Sequence, residues 1–346
     1  MESYDALFAS ISELVMHHSP SGVEHEVDEL LHKRFAALGL KSYSDPSGNL
    51  ICKIPGRGGG AIAITAHKDE IGAIVTAIES DGRVKVRRLG GSYPWVYGEG
   101  VVDLIGDKGC VPGVLSFGSR HVSHASPQHA HHETAPVKWA DTWVETKLTS
   151  DELAAAGVRI GTTLVIGKHR KAPLRLKNHI ASYTLDNKAS LAIMLELARR
   201  LKSPGPDVYL VASAKEEVGA IGAMYFSRRQ EVDALIALEV APIAPEYTIK
   251  DGVAPVLLAE DSFGLYDARL NEQIRRVGAS REIALQMAVV SLFGSDGSVT
   301  MRAGNVPKAA CLGFATQNTH GYEIAHLGAI ENCVRVLEAL CQEKFV

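Results

Sequence analysis

Near the N-terminus, apolar residues recur at three- and four-residue spacing: Leu7, Ile11 and Leu14, then Val27, Leu30, Leu31 and Phe35. That spacing puts them on one face of a 3.6-residue turn and predicts amphipathic helices over 3–17 and 24–38. Ser19-Pro20-Ser21-Gly22 breaks the chain between them. Residues 49–54 and 61–66 read as short strands separated by a Gly-rich turn. From about 71 to 174 the texture changes. Short apolar or β-branched runs recur at 73–78, 84–89, 101–105, 111–117 and 163–166, punctuated by Gly, Asp and Pro. Such a series predicts a small all-β unit. Within it, 119–133 is polar and rich in histidine and reads as a long exposed loop. The basic run 168–177 reads as a solvated linker.

After 174 the alternation of helix and strand returns. Helices are expected over 187–201, 219–230, 268–277 and 323–340, and strands over 208–214, 234–240, 283–290 and 309–315. Short apolar strands alternating with helices predict a mostly parallel sheet with helices on both faces. The expected architecture is one α/β domain built from 1–70 and 175–346, interrupted by a β-rich insert, 71–174.

Composition narrows the function classes. The 346 residues carry a net charge of −4, from 36 basic and 40 acidic side chains. That balance gives no footing for nucleic acid or an anionic membrane surface. The N-terminal segment has acidic residues where a signal peptide would be basic and then apolar. No run reaches the roughly 20 apolar residues that cross a bilayer. Five scattered cysteines, with no CxxC, fit reduced thiols in a cytoplasmic protein.

The chemistry gathers at strand ends. His67-Lys68-Asp69 follows the strand at 61–66, and Glu216-Glu217 follows 208–214. The strand from Ala234 runs into Glu239, His320 follows 309–315, and Asp186 sits just before a helix. Ligands of open α/β sheets bind at the carboxyl ends of strands, so these side chains are expected to meet. Two imidazoles and three carboxylates suit zinc, cobalt or manganese better than calcium. Such residues hold pairs of divalent ions that hydrolyse peptides or phosphates. Adjacent carboxylates on an extended segment point oppositely, so one of Glu216 and Glu217 is free to serve as general base. Asp69 is placed to hold the far nitrogen of His67. Singly, each element has a blander reading: an exposed HxD, a solvated Glu pair, an N-cap at Asp186, a hydrogen-bonded loop histidine.

In order along nearly the whole chain, the motifs Ser21-Gly22-x-Glu24, Asp45-x-x-Gly48-Asn49 and Ala66-His67-Lys68-Asp69-Glu70-Ile71-Gly72 are followed by Leu185-Asp186-Asn187-Lys188, Glu216-Glu217-Val218-Gly219, Gly294-Ser295-Asp296 and Thr319-His320. Together they resemble the tetrahedral, glutamyl-aminopeptidase-type metallopeptidases, a family in which some members carry the endoglucanase label. The resemblance implies an aminopeptidase that removes N-terminal residues from short peptides. It implies two divalent ions held by His67, Asp186, Glu217, Glu239 and His320, with Asp186 bridging, Glu216 as base and Asp69 orienting. It further implies a cis peptide bond after Asp186, a dimerisation role for the insert, and dimers assembling into a dodecamer. Glu239 departs from the Asp usual in the family. Two-metal carboxypeptidases and N-acyl amino acid deacylases use Glu there, and that reaction is the alternative expectation. A glycosidase and a metal-free shell protein are weaker rivals. Histidines 121, 124, 129, 131 and 132 raise the further question of an accessory metal.

Overall fold

The computed structural model describes residues 4–343, apart from the side chains of Pro127, His132 and Glu133. It resolves into two compact units, Met1–Asp69 with Ala172–Val346, and Glu70–Lys171.

The first unit opens with helices α1 (Asp5–Val15) and α2 (His25–Ala37) and strands β1 (Ser42–Ser44), β2 (Leu50–Ile54) and β3 (Ala61–His67). Both helices bury the stripe expected of them, Leu7, Ile11 and Leu14 in α1 and Val27, Leu30, Leu31 and Phe35 in α2.

The second unit contains β4 (Gly72–Ile78), β5 (Val84–Leu89), α3 (Pro94–Tyr97), β6 (Gly100–Gly106), β7 (Gly109–Ser116), α4 (Ala130–Glu133), β8 (Trp143–Glu145), α5 (Ser150–Ala155) and β9 (Thr163–Ile166). Its strands close into an antiparallel barrel, β4-β5-β8-β7-β6-β9. Val111, Gly113 and Leu115 of β7 turn inward while their neighbours stay outside, the period-2 pattern of a strand with one wet face. Closure removes free sheet edges, which are otherwise open to pairing with other chains. Two expectations are corrected here. Segment 119–133 is not loop throughout: a 3-10 turn, Pro127–His129, runs into α4. Nor is 168–177 simply a solvated linker, because Lys171 is fully buried against Glu70.

The chain then completes the first unit with β10 (Leu174–Leu176), β11 (His179–Tyr183), α6 (Leu185–Arg200), β12 (Asp207–Ser213), α7 (Ile221–Ser227), β13 (Ala234–Pro242), β14 (Val256–Asp261), β15 (Gly264–Leu265), α8 (Ala268–Ser280), β16 (Gln286–Val289), α9 (Asp296–Arg302), β17 (Ala309–Gln317), β18 (Tyr322–His326) and α10 (Leu327–Leu340). The sheet order is β1-β2-β12-β3-β13-β17-β18-β11-β10, with β14, β15 and β16 branching from β17. Strands β12, β3, β13 and β17 are mutually parallel. Strand β18 is antiparallel to both β17 and β11, so β11 runs in the direction of the central four.

Alternation along these strands feeds two apolar layers. Ile62, Ile64 and Ala66 of β3 and Val208, Leu210 and Ala212 of β12 join α1, α2, α6, α8 and α10 on one face. Ala63, Tyr209 and Val211 pack on the other, with Phe226 of α7 and Met301 of α9. Burial on both faces is why these strands read as continuous apolar runs. The expectation of helix over 323–340 is corrected at its start: Tyr322–His326 is a strand, and the helix begins at Leu327.

Candidate metal centre

Five strands that run the same way end at one rim, and each brings a polar side chain there. Strand β3 terminates on His67. Strand β12 leads through Lys215 into Glu216 and Glu217, and β17 leads into His320. Strand β11 leads through Thr184 to Asp186, whose bond to Asn187 is cis. Glu239 lies within β13, opposite Gly313 of β17. Thr184, Lys215 and His320 all have left-handed backbones, with φ of 64°, 58° and 63°. That conformation costs a non-glycine residue about 1–2 kcal/mol. Its recurrence at three turns entering one rim is the kind of outlier that gathers at functional sites.

The side chains converge. His67 Nε2 lies 2.9 Å from Asp186 Oδ1 and 3.9 Å from Glu239 Oε1. His320 Nε2 lies 3.5 Å from Asp186 Oδ2 and 3.6 Å from Glu217 Oε1. Two groups of donors result, His67 with Asp186 and Glu239, and Asp186 with Glu217 and His320. Within each, the donor atoms lie within 4.8 Å of one another. Asp186 belongs to both and turns one oxygen toward each. It does not cap α6: the residue in the N-cap position is Thr184, and Asp186 itself is non-helical.

Asp69 is buried beside His67. His67 Nδ1 donates to the Asp69 backbone carbonyl at 3.1 Å, while the Asp69 carboxylate stands farther off at 3.5 Å. That carboxylate also accepts the backbone N–H groups of Glu216 at 2.9 Å and Glu217 at 3.2 Å, and the Ser21 hydroxyl at 2.6 Å. Asp69 therefore fixes the backbone of the Glu doublet.

With Nδ1 donating, the His67 Nε2 lone pair faces two carboxylates. Acceptors aimed at acceptors require either a proton or a cation between them. The electrostatics agree. Burial raises the Glu216 carboxyl well above the usual carboxylate range, and Glu217, Asp296 and Asp69 push the same way against His67. Glu239 is raised likewise by burial, then by Asp186, Glu216 and Asp296. Burial pulls the His67 imidazole down, but Glu239, Asp186 and Asp69 outweigh it and hold its pKa well above the ordinary value. For Asp186, burial is overcome by the hydrogen bond and charge of His67 and by His320, so its pKa is lowered. The protein's own groups leave an excess of buried carboxylate that divalent cations would neutralise. The mixed imidazole–carboxylate donor set fits zinc, cobalt or manganese.

Sequence reasoning overlooked Glu323. It is buried in β18 and accepts the backbone N–H of Asp186 at 2.9 Å and of His320 at 3.0 Å. The available signal was a carboxylate three residues beyond His320 in a stretch read as helix. In the Gly294-Ser295-Asp296 motif, Ser295 caps α9 and Asp296 accepts the Ser213 hydroxyl at 2.5 Å. In the histidine-rich segment, His124 and His129 approach to 3.1 Å and His131 lies 3.5 Å from Asp141. No third donor joins either pair among the described residues. His132 has its side chain outside them.

The profile of the M42 glutamyl aminopeptidase family matches residues 48–336. Lysyl aminopeptidase of Pyrococcus furiosus is 28% identical over 312 residues, covering 86% of each chain. Glutamyl aminopeptidase of Lactococcus lactis is 26% identical over 275 residues, covering 77% of this chain and 71% of the relative. Among solved structures, an aminopeptidase from the archaeon Desulfurococcus kamchatkensis superposes with a TM-score of 0.88 at 24% identity, covering 99% of this chain and 96% of that one. The TET1 peptidase of Pyrococcus horikoshii, which can assemble into a tetrahedron or a large octahedral shell, matches with a TM-score of 0.88 at 23% identity over 97% and 99% of the two chains.

Proposed function

The chain belongs to the M42 glutamyl aminopeptidase family, and on that premise we propose a dinuclear aminopeptidase that removes N-terminal residues from short peptides. The observation that carries this reading is the pair of donor groups sharing Asp186. His67, Asp186 and Glu239 would hold one divalent ion, and Asp186, Glu217 and His320 the other. Bound there, zinc or cobalt (or manganese) supplies Lewis acidity at the scissile carbonyl.

The remaining work falls to the chain's own groups. A carboxylate oxygen of Glu216 takes a proton from the attacking water as its oxygen bonds to the carbonyl carbon. The same carboxyl then delivers that proton to the departing amine nitrogen as the C–N bond breaks. The raised affinity of Glu216 for a proton, set by burial and neighbouring carboxylates, suits a group that must both accept and return one. Asp69 holds the Glu216 and Glu217 backbones and so aims both side chains.

None of the five cysteines is joined in a disulfide, which supports a reducing, cytoplasmic setting. Among the described residues no helix is long and apolar enough to cross a membrane. A homo-oligomer is part of the same proposal, dimers joined through the insert assembling into a dodecamer; the likeness to TET1, of which a dodecamer is known, supports an assembly.

The test is turnover of free and N-blocked peptides by the parent and by Glu216→Gln, with cation content measured in both. The expected result is cleavage of free N-termini, a loss of kcat on the order of 10²–10⁴-fold in the variant, and unchanged cation content. Near-normal turnover by Glu216→Gln would remove the base assignment. Preference for blocked peptides would shift the reading to deacylase chemistry.

A further inference from the structure

Glu323 stands at a topologically singular place. Strand β11 delivers Asp186 to the rim and β17 delivers His320, and β18 is the strand that lies between β11 and β17. Glu323, near the start of β18 and opposite Ser182 of β11, is the residue from which one carboxylate can reach both turns. It does so with one oxygen for each: Oε2 accepts from the Asp186 N–H at 2.9 Å, and Oε1 from the His320 N–H at 3.0 Å. Glu323 is 1% exposed, so water does not compete for those oxygens.

Neither N–H group is part of a sheet ladder. Asp186 is non-helical at the head of α6, and His320 sits in a left-handed turn between β17 and β18. The carboxylate is therefore what these two backbone groups hold in common. Burial, and then the Asp186 charge, raise the Glu323 carboxyl to about 8, while both N–H bonds and His320 favour its ionised form; in that form it offers acceptors only, one oxygen to each donor. An amide in its place keeps one acceptor and turns an NH2 group toward the other N–H.

We infer that Glu323 is a positioning residue: it sets the separation of Asp186 and His320 and thereby tunes, selectively, the cation pocket that those two residues form with Glu217. This rests on the reading that the two donor groups hold cations. Selectivity follows from the geometry. The pocket of Asp186, Glu217 and His320 has two members tied to Glu323. The pocket of His67, Asp186 and Glu239 has one, and His67 is anchored independently through the Asp69 carbonyl.

The experiment is a zinc titration of the metal-stripped full chain against a chromophoric chelator, repeated with cobalt by its visible spectrum. It is performed on the parent, Glu323→Gln and His320→Ala. The parent is expected to bind two ions. Glu323→Gln should bind one ion with parental affinity and the other about 10–100-fold more weakly, as is usual when a group supporting a ligand is lost. The weakened site should be the one that His320→Ala abolishes. Parental affinity at both sites, or equal weakening of both, would overturn the inference. A parent that binds fewer than two ions would instead sink the dinuclear reading itself, so the two failures are separable. If Glu323→Gln folds poorly by circular dichroism, Glu323→Asp carries the same test, because it keeps the charge and withdraws it by one methylene. A purely structural role would lower thermal stability without the site-selective change.

Discussion

Lys171 donates to Glu70 at 2.5 Å with both side chains almost wholly buried. Taking one partner from a buried pair leaves the other charge desolvated, which costs about 3–5 kcal/mol. Lys171→Met should therefore lower the urea midpoint of the barrel unit sharply, and adding Glu70→Leu should restore much of it. A single variant with the parental midpoint would show that the pair carries no such coupling. Residue type and strand-end position made His67, Asp186, Glu217, Glu239 and His320 readable as candidates without coordinates. Lys171 and Glu323 were misread or missed for one reason: what each does depends on a partner that local pattern does not reveal. Lys171 sits in a run of basic residues that looks solvated, and Glu323 in a stretch that looks helical.

At the level of elements, the error over 323–326 is instructive. Ile324 and Leu327 are three residues apart, as on a helix, yet Glu323 and Ala325 alternate inward with Ile324 and His326 more exposed. Ladder pairing to β17 and β11 outweighs a helical preference that is weak over so few residues. The strand ends on His326, whose Nδ1 accepts the Gly328 N–H and so caps α10. Burial, and then the nearby His179, lower the pKa of His326 below 6.5, with Asp251 opposing. The folded state thus binds this proton less readily than the unfolded chain. Its contribution to stability is complete above the unfolded pKa and declines as pH falls from about 6.5 toward the folded value. His326→Asn keeps a capping acceptor and removes the titration. Between about pH 7 and pH 5, the variant should lose less stability than the parent in parallel urea titrations. Equal losses would discount the cap as a source of the pH dependence.

For the whole molecule, the rim draws ligands from β3, β11, β12, β13 and β17 and ties them through shared cations in the proposed reading. Anything that binds only the folded state stabilises it, by about 4 kcal/mol at a thousandfold excess over Kd. A chelator should lower the melting temperature of the chain by several degrees (about 1–2 °C per kcal/mol at this length, from an unfolding entropy of about 2.1 cal/mol/K per residue), and zinc or cobalt should restore it. An unchanged melting temperature after complete cation removal would argue against ligands drawn from so many strands. The alternation of short apolar strands with helices was enough to foresee the sheet and the β-rich interruption. The barrel's closure and the branch formed by β14, β15 and β16 were not foreseen, because both depend on which strand edges find each other.

What the linear order of residues determined alone is the list of participants and the layers: periodicity is local, so it specifies helix faces, doubly buried strands and the polar groups at strand ends. What only the tertiary structure decided is which of those groups meet, that Asp186 turns an oxygen to each side, that Asp69 grips the Glu216 and Glu217 backbone besides standing at His67, and that Glu323 joins two turns. Those are distances between segments far apart in the chain, and strand order and direction set them through long-range pairing.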